Sequence, residues 1–152
     1  LISSVFANSL LVQIFYVIYQ KIYCMFELSR IQTLLGRIED AVLLIQNKAS
    51  QIKRPDDFLL DQEGTFLLSG ICMQLIFIGE SVKTIDNKTS HRYLINYPDI
   101  PWGQIMGLRD IIAHEYHRID EEEIFNIIKV ELSPLLSTVR RMKQELTNYI
   151  LE

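Results

Sequence analysis

The chain has 152 residues, of which 49% are hydrophobic and 22% charged, the balance of a soluble single domain long enough to bury a core. A formal net charge of −4 excludes a general nucleic-acid coat, which needs a broad basic surface, yet leaves room for a local basic pocket. Six glycines and four prolines argue against a turn-rich all-β fold. Cys24 and Cys72 are the two cysteines; they have no CxxC or Cys/His metal spacing and read as reduced thiols of a cytoplasmic protein, with Cys72 buried.

Residues 1–24 differ in character from the remainder of the chain. From Leu1 to Gln20 there is no charged side chain, and Leu10 to Tyr19 reads LLVQIFYVIY. That nearly meets the length of a membrane span, but Asn8, Ser9, Gln13 and Gln20 interrupt it, and no basic n-region or small-residue cleavage site marks a secretory signal. An over-extended reading frame or an accessory helix is favoured over a membrane anchor, with a packed extra element as the remaining reading. The functional domain is expected over residues 25–152.

From Phe26, apolar residues fall at helical spacing: Leu28, Ile31, Leu34, Leu35, Ile38, Val42, Leu43 and Ile45. This predicts a first helix to about Lys53, stopped by Pro55. The second helix is predicted from Asp61 to Ile85, with Phe66, Leu67, Ile71, Leu75, Ile76 and Ile78 in the core. Gly64, Gly70 and Gly79 interrupt its propensity and suggest close helix contacts. A polar connection, Asp86 to Pro101, carries a small basic group, Lys88, His91 and Arg92, for which simple exposure is favoured over contact with a partner. A third helix starts near Pro101, with Trp102 packing it onto the bundle. Asp120 with Glu123 resembles a capping box for a fourth helix, and Ser133-Pro134 predicts a restart as N-cap and first turn. Arg140, Arg141 and Lys143 read as a solvated face. The fold class is all-α, an antiparallel bundle of four to five helices.

The third helix runs into LRDIIAHEYHRID, Leu108 to Asp120, which sets Arg109, His114 and Tyr116 at the spacing R-x4-H-x-Y. The three supply a fixed cation, a ring that titrates near neutrality and a phenol within about two helical turns. At about 100° per residue, Ile105, Leu108 and Ile112 share a core-facing stripe. Arg109 and Tyr116 flank it within about 20° of each other, and His114 lies about 140° from Arg109. One straight helix therefore does not converge Arg109 and His114 on one phosphate, whereas a two-fold dimer pairing this helix with its mate brings both sets to one cleft. Asp110 reads as orienting Arg109 or a polar group across the dimer, or equally as a solvated residue, and His117 and Arg118 are further supporting candidates that a solvated helix end explains as well. Tyr116 by itself reads equally as an aromatic anchor of the helix end, and Glu80 as a helix-surface or N–H-capping residue.

The order of helices, the phrase YPDIPWGQIMGLRDIIAHEY from Tyr97 to Tyr116 and IGES from Ile78 to Ser81 resemble the HepT-like HEPN family. These are the toxin halves of toxin–antitoxin pairs whose antitoxin is a minimal nucleotidyltransferase. The resemblance covers roughly Phe26 to Asn148. It implies a HEPN-type bundle that dimerises through the motif-bearing helix, and a metal-independent endoribonuclease that needs no cofactor. RNA would be the substrate, Arg109 and His114 the catalytic pair, and Tyr116 the acceptor of an AMP group that the antitoxin transfers to silence the toxin. A member of this kind whose motif is instead a non-catalytic nucleotide- or partner-binding surface is the alternative.

Overall fold

The computed structural model describes residues 2–114 and 120–151, and the side chains of 11–114 and 120–149. Among the described residues five α-helices follow one another: α1 (Ile2–Lys48), α2 (Gln62–Lys88), α3 (Trp102–His114), α4 (Glu121–Asn126) and α5 (Leu132–Leu151). Short 3₁₀ turns at Ala49–Gln51, Pro55–Phe58 and Leu94–Asn96 lie in the connections, and a π turn at Ile127–Glu131 joins α4 to α5.

Polar contacts fix the directions. Near the end of α2, Lys88 pairs with Glu27 of α1 at 3.1 Å, while the start of α5 meets the far part of α1 through Gln46 Nε2 and Ser133 Oγ at 3.2 Å. Both α2 and α5 therefore run antiparallel to α1. Ile31, Leu35, Ile38, Val42 and Ile45 are buried on one stripe of α1, as their spacing requires, and meet Ile71, Leu75, Ile78 and Val82 of α2 and Leu135, Val139 and Met142 of α5 in one core. Cys72 belongs to this core, where burial pushes its thiol up to about 11, while Cys24 is exposed.

Several expectations shift. The first helix does not begin at Phe26: it runs unbroken from Ile2, since no glycine or proline interrupts the chain before Gly36. Every side chain from Leu11 to Phe26 is exposed. The helix ends at Lys48 rather than Lys53, because its last turn tightens and Ile52 and Arg54 turn extended ahead of Pro55. The second helix starts next to Asp61 as expected, with Asp61 as its cap, Oδ1 accepting from the Gly64 N–H at 2.7 Å, but it continues to Lys88 before Ser90 and His91 adopt φ of 52° and 60°. Phe66 is 81% exposed rather than buried, because it lies about half a turn around α2 from Leu75.

The fourth and fifth helices differ too. Asp120 caps α4 through the Glu122 N–H at 2.8 Å, not through a box with Glu123. Ser133 and Pro134 lie inside α5, and the irregularity sits one turn earlier, in the π turn. Pro134 offers no N–H to the Val130 carbonyl, so the hydrogen-bond ladder is released there and the helix widens instead of stopping.

Arg140 and Lys143 are not a free solvated face. Both donate to Glu39 of α1, at 2.6 and 2.7 Å, and Gln32 Nε2 donates to Thr147 Oγ1 at 2.9 Å along the same seam. The Lys143 and Arg140 hydrogen bonds hold the Glu39 carboxyl below its ordinary value of 4.5. A carboxyl lowered in the folded state stabilises above its unfolded value and loses that contribution as pH falls through the folded one. Glu39→Gln should cost about 1 kcal/mol at neutral pH, a deficit that narrows under acid conditions. Urea unfolding at about pH 7 and about pH 3 checks the difference.

Candidate functional site

The segment before α3 determines where its side chains stand. Tyr97 Oη donates to Glu145 Oε2 at 2.5 Å, and Arg141 lies over the Tyr97 ring, 5.3 Å from its centroid. Burial, and then the bond to Glu145, push the Tyr97 hydroxyl well above the usual phenol range, so it remains a neutral donor. Trp102 Nε1 in turn donates to the Tyr97 carbonyl at 2.9 Å, with the indole buried as expected. The Pro101 carbonyl accepts the Gln104 and Ile105 N–H groups and starts the helix. These contacts tie the entry of α3 to α5.

The other side of α3 rests on α2, the most extensive helix pairing among the described residues. The approach is closest at Gly79. A Cβ built there would stand 2.5 Å from Arg109 Cβ and 2.9 Å from the Ile105 carbonyl oxygen. Only glycine lets the Arg109 stem cross α2 at this point. Gly64 is equally confined, against the Asp57 and Phe58 carbonyls, whereas Gly70 faces open space and makes no close helix contact.

Crossing at Gly79 brings Arg109 to Glu80. Arg109 Nε donates to Glu80 Oε1, and Nη1 donates to Asp110 Oδ1. The Arg109 side chain is 20% exposed, against 47% for Glu80 and 52% for Asp110, so the cation is tucked between two more open carboxylates. Asp110 thus contacts Arg109 as its place in the motif suggested. Glu80 is the residue that the sequence reading assigned to a surface or capping role and that instead reaches the site. Its signal was the glycine immediately before it.

His114 is the last residue of α3 and exposed, on the side away from the core stripe, where Ile112 is buried and Ile105 and Leu108 pack against the core. Gly103, Gly107, Asp110 and His114 fall at i, i+4, i+7 and i+11 along one open stripe. A Cβ built on either glycine would meet nothing within 4 Å. Arg109, Asp110 and Glu80 are thus brought together, while His114 stands about 7.5 Å further along the axis and about 140° around it. Tyr116, His117 and Arg118 lie outside the described residues.

A groove of about 400 Å³ borders the open stripe at Gly107, lined also by Ile105, Leu108, Ile111, Glu123 and Glu131 among others, without Arg109 or His114. Its charged groups are acidic, which disfavours a phosphate. Two of the basic residues in the connection after α2 are already paired: Lys88, at the end of α2, with Glu27, and His91, whose Nδ1 sits 2.6 Å from Asp86 Oδ2.

The family model described as "Ribonuclease HepT-like" matches residues 38–142, well over half of the chain. Among curated proteins, "Probable ribonuclease HepT" of Thermococcus cleftensis is 26% identical over 110 residues, covering 72% of this chain and 93% of that protein. "Putative RNase TTE0752" of Caldanaerobacter subterraneus subsp. tengcongensis is 28% identical over 90 residues, 59% of this chain and 74% of that protein. No solved structure matches.

Two of the three glycines of α2, Gly79 and Gly70, should respond in opposite directions. Gly79→Ala is expected to destabilise by about 1–3 kcal/mol as α2 and α3 are forced apart, whereas Gly70→Ala, with open space around it, should stabilise by about 0.5–1 kcal/mol. Thermal melts of the two variants beside the wild type check the pair.

Proposed function

This chain belongs to the HepT-like ribonuclease family, and from that premise we propose that it is the toxin half of a toxin–antitoxin pair, a metal-independent endoribonuclease. The observation that carries the reading is the Arg109 guanidinium held at the α2–α3 crossing with His114 exposed on the same helix.

In the proposed reaction the ribose 2′-OH loses its proton and its oxygen attacks the adjacent phosphorus. The bond from phosphorus to the 5′-oxygen breaks, and that oxygen takes a proton, leaving a 2′,3′-cyclic phosphate and a 5′-hydroxyl. Charge builds on the non-bridging oxygens in the transition state, where an arginine's permanent charge and planar donors suit it to hold two of them. A histidine ring can take the proton at one oxygen and return it at the other.

The wide angle between Arg109 and His114 favours a site assembled from two copies of the chain. The open stripe of Gly103, Gly107, Asp110 and His114 supports such a dimer, since the two glycines let a second helix approach closely. Two-fold pairing along α3 sets two Arg109/His114 pairs in one cleft. Tyr116, two residues past His114, is the proposed AMP acceptor, its phenol oxygen attacking the α-phosphate of ATP with loss of pyrophosphate on the cognate nucleotidyltransferase antitoxin. His117 and Arg118 are proposed to add phosphate affinity.

A second reading, a non-catalytic nucleotide- or partner-binding protein, draws on the two carboxylates that neutralise Arg109 and on the net charge of −4.

Purified protein incubated with RNA in chelator separates the two readings. Cleavage that leaves 2′,3′-cyclic phosphate ends and falls by about 100-fold or more in His114→Ala is expected; equal inertness of wild type and variant on diverse RNAs would sink the ribonuclease reading. After co-incubation with the cognate nucleotidyltransferase and ATP, intact mass should rise by one or more AMP units in wild type. An equal rise in Tyr116→Phe would refute the acceptor assignment.

A further inference from the structure

We infer that Glu80 is a positioning residue that fixes the plane of the Arg109 guanidinium for phosphate binding, an inference that rests on the ribonuclease reading. An arginine carries five N–H donors in one plane, with Nε–H at one edge and the two Nη groups forming the fork used for bidentate phosphate contact. Glu80 takes the Nε edge, and Asp110 takes one Nη1 donor. Among the described residues, no hydrogen bond takes the Nη2 end of the fork.

The two carboxylates are not equivalent. Asp110 is Arg109's neighbour on α3, so its bond relates the guanidinium to its own helix alone. Glu80 belongs to α2, so its bond relates the guanidinium to a second helix. The Gly79 crossing holds the two backbones close enough for the bond to form, and the lower exposure of Arg109 makes it the restrained partner. Glu80 itself, an anion beside a site for an anionic substrate, acts through Arg109 and does not touch the reacting phosphate. Holding a charged donor in place before the substrate arrives lowers the reorganisation needed in the transition state. An ion pair this exposed contributes little to stability, so its loss should appear in turnover and not in the melt.

The test uses the full chain with Glu80→Ala and Glu80→Gln. Glu80→Ala should lower kcat by up to about 100-fold with KM and the melting temperature nearly unchanged. Glu80→Gln, which keeps an Oε1 acceptor for Nε–H, should recover most of the loss. In ¹⁵N-edited NMR, the Arg109 Nε–H signal, assigned by its absence in Arg109→Lys, should exchange slowly in wild type and Glu80→Gln and rapidly in Glu80→Ala. Wild-type kcat in Glu80→Ala, equal Nε–H exchange in wild type and Glu80→Ala, or a turnover loss that tracks a fall in melting temperature in both variants overturns the positioning role while the ribonuclease reading stands. A wild type that cleaves no RNA removes the reading itself and the positioning role with it.

Discussion

The contact between α2 and α3 at Gly79 is the constraint on which the candidate site depends. At that crossing one helix presents bare backbone and the other lays the stem of a long cationic side chain across it, with the Ile105 carbonyl close behind. Packing of this kind is intolerant, because the nearest obstacles include backbone that cannot swing away. It also turns a sequence neighbour of the glycine, Glu80, into the ion-pair partner of Arg109. The same feature that lets the helices pack places the charge.

Around this crossing the fold uses many of its other charged groups to hold helices together. Glu27 with Lys88 ties α1 to α2, Glu39 with Arg140 and Lys143 ties α1 to α5, and Lys129 Nζ donates to the Ile52 carbonyl at 2.9 Å from the π turn. With a net charge of −4, the surface offers a polyanion little long-range attraction, so affinity for RNA has to come from short-range groups at the motif. In the proposed site Arg109 would meet that task with Glu80 and Asp110 already on it.

The two irregular parts of the helical frame have plain local causes. The π turn lies where Pro134 removes a donor from the ladder, and its Ile127 and Glu131 help to line the groove along α3. The exposed stretch of α1 from Leu11 to Phe26 satisfies its own backbone as a helix and has apolar side chains on all its faces, so its helicity owes nothing to tertiary packing.

Much of the frame was legible in the sequence because helical periodicity is a local signal. The apolar spacing of Ile31, Leu35, Ile38, Val42 and Ile45 identified a core stripe, Asp61 announced the start of α2, and Trp102 its own burial. The motif was legible for the same reason: Arg109, Asp110 and His114 are neighbours in one short helix, and the wheel already set His114 apart from Arg109. What lay beyond the sequence was every relation between helices. Gly64, Gly70 and Gly79 look alike in the string, yet two are confined and one is open. Spacing along a chain fixes angles within a helix, whereas which face meets another helix depends on how several apolar stripes are buried at once. The amino-acid sequence by itself determined the helices, their core stripes and the residues of the motif. Only the tertiary structure decided that Arg109 crosses Gly79 and is held by Glu80, because that pair joins residues on separate helices through a contact that neither helix encodes alone.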